Sequence, residues 1–170
     1  MRVTWLLAIC VSVVPLTAWT TKAASPTPPR CTAGDARRNA THFEAPYSRF
    51  CGPARGVVYL NGETYTIRGG HCHPRQAPRK KRRLLTHVTI GLISDPPAAP
   101  GRGISIPNLQ VTRPGPVQID DSEIEVADTR VAASGTVLVG TGLKSGSFFL
   151  YGRDATGPTG VTLAGTWTCG

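Results

Sequence analysis

No segment of this sequence places apolar residues at the helical period of about 3.6, and nothing repeats at a spacing that would build a solenoid or a propeller. Helical bundles and repeat arrays are excluded on that ground. The motifs of the common hydrolases and phosphate-binding enzymes are missing too: there is no G-x-S-x-G elbow, no H-E-x-x-H, no phosphate loop and no free cysteine left over as a nucleophile. The chain is therefore read as non-enzymatic, and no cofactor is implied. Beyond residue 16 no apolar run is long enough to cross a bilayer. Two further absences concern charge. From 68 to 83 there are seven basic residues and no acid, and from 120 to 128 there are five acids and no base.

What is present begins with an address. Arg2 followed by the apolar run 5–16 has the form of a secretory signal, and the small residues Thr21 and Ala23 fit cleavage after Ala23. Pro15 interrupts the run, which is too short for a transmembrane helix. Leu7-Ala8-Ile9-Cys10 approaches a lipoprotein acceptor box, but Ile9 stands where a small residue belongs, so no lipid anchor is expected. The chain is thus divided into a signal peptide (1–23), a flexible proline-rich tail with an irregular lead-in (24–55), and a β-domain (56–170). The product is expected to be secreted or associated with the cell envelope. Its net charge of +9 falls by two, to +7, when Arg2 and Lys22 leave with the signal.

Four cysteines remain after cleavage: Cys31, Cys51, Cys72 and Cys169. An even number in an exported chain argues for two disulfides, and three pairings are possible. Cys31–Cys51 with Cys72–Cys169 is preferred, the first pinning the lead-in and the second tying a hairpin to the last strand. A bridge closing a loop of nearly a hundred residues stabilises by roughly 4–5 kcal/mol in the chain-entropy model.

The ordered part opens with a hairpin. Residues 57–60 (VVYL) and 63–67 (ETYTI) are rich in β-branched and aromatic side chains, and Asn61-Gly62 between them tolerates the positive φ of a type I′ turn. Gly69-Gly70 then releases the chain from strand geometry. Further strands are predicted over 84–94, with Thr86, Val88, Ile90 and Leu92 on one face, and over 104–111, where Pro107 suggests an edge or a bulge. Short strands follow at 117–119 and 124–126, and three clean ones at 135–139, 146–151 and 160–169, separated by glycine-rich turns. Tyr59, Tyr65, Phe148, Phe149, Tyr151 and Trp167 fall at strand spacing and are read as core and cross-strand packing. Short strands punctuated by Gly and Pro make an all-β fold, an antiparallel β-sandwich or small barrel, stapled by disulfides.

Several of these features resemble the mycobacterial lipoprotein-antigen family of small exported actinobacterial β-proteins. They are the Leu60-Asn61-Gly62 opening, Cys72 soon after it, Val88-Thr89-Ile90-Gly91, and the closing Gly165-Thr166-Trp167-Thr168-Cys169-Gly170. The resemblance covers about two-thirds of the chain. It implies a single β-sandwich, a bridge between Cys72 and Cys169, and exposure outside the cell membrane. It carries no catalytic set.

Three stretches are candidates for function. His71-Cys72-His73 offers imidazole and thiolate to copper or zinc, with His42 and His87 as possible third ligands. On a strand, however, His71 and His73 share a side while Cys72 faces the other, and a disulfide would remove the sulfur. The basic run Arg79-Lys80-Lys81-Arg82-Arg83, with Arg75 nearby, can bind a polyanion such as nucleic acid, an anionic envelope glycan or a lipid headgroup. It also has the dibasic form of a processing site, and a solvated loop is its plain reading. No aromatic is interleaved with it, so base stacking is not supported. The acidic stretch 119–128 can supply oxygen ligands to calcium or pair with the basic loop. Its alternation of Glu123 and Glu125 with Ile124 and Val126 is instead read as an exposed strand face.

Overall fold

The computed structural model describes residues 27–76, 83–95, 101–126, 129–154 and 160–170, with the backbone alone at Ala36, at 73–76 and at Arg83. A short helix, α1 (Ala33–Arg38), precedes twelve strands: β1 (Thr41–Glu44), β2 (Tyr47–Phe50), β3 (Arg55–Leu60), β4 (Glu63–Arg68), β5 (Gly70–Gln76), β6 (Arg83–Ser94), β7 (Arg102–Ile106), β8 (Gly115–Ile119), β9 (Glu123–Val126), β10 (Thr129–Val139), β11 (Ser145–Asp154) and β12 (Gly160–Thr168). All belong to one antiparallel sheet.

The pairings run in a ring, within the antiparallel sandwich-or-barrel class that was expected. From β6 they pass through β7, β9, β10, β11 and β12 to β3 and β4. β5 continues β4 after a single residue and pairs β6, which closes the circle. The closure is made at Gly69, whose N–H donates to the Ala54 carbonyl (3.1 Å) and whose carbonyl accepts from Gly91 N–H (2.6 Å). Gly69 and Gly70 have φ of 84° and 145°, values that side chains with a Cβ rarely adopt, so the stave bends where no other residue would be comfortable. The opening hairpin matches its expectation: Asn61 and Gly62 have φ of 52° and 82°, and Leu60 stands opposite Glu63.

Strand alternation fills the barrel. Val58 and Leu60 of β3, Ile90 of β6, Ile104 of β7, Val131 and Val137 of β10, Phe148 and Leu150 of β11, and Leu163 and Trp167 of β12 are buried in one core. Small size matters as much as apolarity here. Gly165 stands opposite Phe148, and a Cβ at 165 would run into that ring and into the Val57 carbonyl. Both disulfides form as preferred, Cys31–Cys51 and Cys72–Cys169, with Cys72 packed in the core.

The structure differs from the sequence reading at several places in the fold. The lead-in is not irregular as far as residue 55: β1 and β2 form a hairpin, and β2 pairs the second half of β6. The strand expected over 104–111 ends at Ile106, because Pro107 has no N–H to give and Asn108 and Gln110 adopt positive φ (55° and 46°). In β6, Thr86 does not share a face with Val88 and Ile90. The register against β5 passes from Cys72–Val88 to Pro74–Leu85, so β6 carries an extra residue and bulges there. Of the aromatic residues assigned to packing, Phe148 and Trp167 are interior, whereas Tyr59, Phe149 and Tyr151 are exposed on the outer wall.

The N-terminal helix is held by a capping box in which Thr32 and Asp35 bond each other reciprocally, and His42 Nε2 lies 3.1 Å from the Asp35 carboxylate. The hydrogen bonds from the Thr32 side chain and then its backbone, with His42 adding to them, lower the Asp35 pKa from 3.8 to about 2. A carboxylate lowered in this way contributes stability that is complete above its ordinary pKa and disappears as pH falls through about 2. The side-chain carboxyl resonance of Asp35 is expected to titrate with a midpoint near 2, and Thr32→Ala to return it toward the ordinary range. A wild-type midpoint at the ordinary value would mean the box does not form in solution.

Candidate functional site

In sequence the basic run lies between β5 and β6, whose paired backbones are described as far as Gln76 and from Arg83. Arg75 stands opposite Leu84, and Gln76 opposite Arg83, at the far end of a strand pair that begins with Gly70 opposite Ile90. Six residues at about 3.3 Å each put this end some 20 Å along β5 from the point of barrel closure. Arg79, Lys80, Lys81 and Arg82 lie outside the described residues, as do the side chains of Arg75 and Arg83. The seven-to-none excess of bases over acids from 68 to 83 is a property of the sequence.

Immediately beside this hairpin end lies an open cleft of about 470 Å³, lined by Leu84, Thr86, His87, Thr89, Pro107, Asn108 and Gln110. Local backbone chemistry builds it. Leu85 and Val111 exchange backbone hydrogen bonds (2.8 and 2.9 Å), and Leu109 N–H donates to the Thr86 carbonyl. The positive φ at Asn108 and Gln110 zigzags the segment, so that Leu109 and Val111 enter the core while the two amides line the cleft. The bulge in β6 places Thr86 and His87 on the opposite wall. The cleft was not visible in the sequence, although an amide at alternate positions after a proline (Pro107, Asn108, Gln110) is a usable sign of irregular, polar-lined backbone.

The histidines are divided. The His71 ring packs edge-on against Phe50 (5.9 Å between centroids) and against His87 (6.1 Å), whereas His42 is engaged with Asp35. Cys72 is bridged to Cys169, so its sulfur is no metal ligand, and the His73 side chain lies outside the described residues. Among the described residues no group of three or more His, Cys, Asp or Glu side chains converges on one point.

The acidic stretch is the exposed face expected of it at Asp120 and Asp121 but not at Glu125. Glu125 is fully buried and stands opposite Arg130 across the β9–β10 pair. Arg130 Nε donates to Glu125 Oε1 (2.6 Å), and Arg130 Nη2 donates to Ser94 Oγ (2.7 Å). The same carboxylate accepts from Ser94 N–H (3.0 Å), from the Ser94 hydroxyl (2.9 Å) and from Gly101 N–H. Space for it comes from Gly101, where any Cβ would lie 2.8 Å from Glu125 Oε2. Arg130 also lies 3.5 Å from Glu123, whose carboxyl is pushed above the usual range by burial and then by the charge of Glu125. Asp120 and Asp121 line a separate hollow with Asn108 and Gln118. Because Val126 pairs Thr129, positions 125 and 130 face each other across the strand pair, and their opposite charges in the sequence are the usable signal.

No family model, no curated protein and no solved structure matches this chain.

Proposed function

We propose that this chain is an exported, non-enzymatic β-barrel domain, secreted or held at the cell envelope, that contacts anionic partners through the basic hairpin 75–83. The observation that supports this reading best is the internal matching of two of the five acids in the acidic stretch, Glu123 and Glu125. Glu125, the acid most deeply placed, is saturated by Arg130, Ser94 and Gly101, and Glu123 leans on the same arginine. These two carboxylates are therefore engaged by Arg130 of the same sheet, and the excess of positive charge between β5 and β6 keeps its pull on outside anions. The two disulfides fit an oxidising extracellular environment, and among the described residues no helix is long and apolar enough to cross a membrane.

The test is retention on heparin and on vesicles containing phosphatidylglycerol across a salt series. Basic residues near an anionic surface contribute about 1 kcal/mol each, so replacing Arg79, Lys80, Lys81, Arg82 and Arg83 with glutamine should weaken vesicle partition on the order of a thousandfold at low salt. The wild-type interaction should also fall steeply as salt rises. Retention that survives the five substitutions unchanged would sink the proposal.

A further inference from the structure

One side of the barrel wall carries a surface that the basic hairpin does not account for. Four of the five large apolar side chains exposed among the described residues lie together on β3, β10 and β11: Tyr59 (48% exposed), Leu138 (51%), Phe149 (63%) and Tyr151 (61%). The register aligns them. Thr136 stands opposite Phe149, Phe149 opposite Ala164, and Ala164 opposite Tyr59, a row running across four adjacent strands. The small Ala164 leaves a shallow floor between two rings that are two strand spacings apart, about 9–10 Å. Tyr151 follows Phe149 by two residues on β11, about 7 Å along the strand. Its hydroxyl sits over Gly160, where any Cβ would run into it, so the missing side chain lets the tyrosine lie across β12.

The chemistry around the rings is as informative as the rings. Between Leu138 and Tyr151 in one direction and Thr136 and Thr64 in the other, every remaining outward position is serine, threonine or Val57. None is charged at neutral pH, in a chain that is 17% charged with a net charge of +9. Arg55, Arg68 and Arg153 stand only at the rim. An exposed apolar patch of this kind marks an interaction surface. Its wealth of hydroxyls is unlike the apolar core of a homodimer interface, and its neutrality gives a polyanion nothing to hold. A pyranose ring has the complementary composition, with an apolar face of C–H bonds to lie on an aromatic ring and a rim of hydroxyls to exchange hydrogen bonds with Ser and Thr. The distance from Tyr59 to Phe149 spans two linked sugar rings.

We propose that the outer face of β3, β4, β10, β11 and β12 binds a neutral polysaccharide laid flat across the strands. The full chain is tested for co-sedimentation with insoluble cellulose, chitin and mannan in about 1 M salt, where the Debye length of about 3 Å silences the basic hairpin. Binding to at least one of the three is expected. Tyr59→Ala and Phe149→Ala are each expected to weaken it about three- to tenfold, and together by the product. The glutamine-substituted hairpin should bind the same polysaccharide unchanged, which separates this surface from the one proposed above. Both aromatic residues are exposed, so an unaltered unfolding midpoint will show that the variants fold. The proposal is overturned by failure to bind any of the three polysaccharides, by binding that survives the double substitution, or by self-association in sedimentation velocity that the double substitution abolishes. The last result would make the face a contact between two copies of the chain.

Discussion

Replacing Arg130 with methionine is expected to lower the unfolding free energy by about 3–5 kcal/mol, because it leaves the Glu125 carboxylate buried without its counter-ion. Glu125 is fully enclosed and Arg130 nearly so, which separates this pair from surface ion pairs, where removal of one partner costs about 1 kcal/mol or less. The arginine also holds the Ser94 hydroxyl, and the Ser94 and Gly101 amides hold the carboxylate, so the substitution strikes both sides of the β6–β7 connection at once. The double variant Glu125→Leu with Arg130→Met should recover most of the loss, since no charge is then stranded. Urea unfolding of the two variants measures both quantities. A single-variant loss below about 1 kcal/mol would mean that water reaches the pair in solution.

Removing the Cys72–Cys169 bridge with alanine at both positions is expected to cost about 4–5 kcal/mol, and removing Cys31–Cys51 about 3 kcal/mol. The difference follows from loop length, since the bridges close separations of 97 and 20 residues. The long bridge also ties β5, one of the two strands flanking the closure at Gly69, to the residue after β12, and Cys72 contributes its own volume to the core. Unfolding both alanine variants side by side tests the order. A larger loss for the short loop would show that the bridges act through native packing and not through the entropy of the unfolded chain.

Much of the fold was legible residue by residue. The Asn61-Gly62 turn depends on two backbone conformations that neighbouring residues do not alter, and the strands around it declare themselves by composition. The lead-in was not legible. In β1 and β2 the side chains are half-buried or exposed with no alternation, so no period distinguishes them from a loop. They are strands because the β4–β5 stave bends at Gly69-Gly70 and leaves the second half of β6 open for β2 to pair. The candidate sites divide in the same way. The basic run is plain in the sequence because charge is additive and needs no partner. The cleft beside it depends on a bulge in β6 and on two residues of positive φ in another segment, features that no single window contains.

By itself, then, the sequence determined the all-β class, the opening hairpin and the alternation that separates Phe148 from Phe149 and Ile124 from Glu125. These depend on steric and hydrophobic preferences repeating every two residues. Only the tertiary structure decided which side of each alternation is the core. It turned Phe149 and Tyr151 out to solvent and enclosed Glu125 against Arg130 and Ser94. It also closed the sheet into a ring, with β12 returning to β3 across a span of about a hundred residues. The physical reason is that burial belongs to the assembled surfaces and not to the strand. A strand specifies that its two faces differ, and the elements that fold over it determine which one meets water.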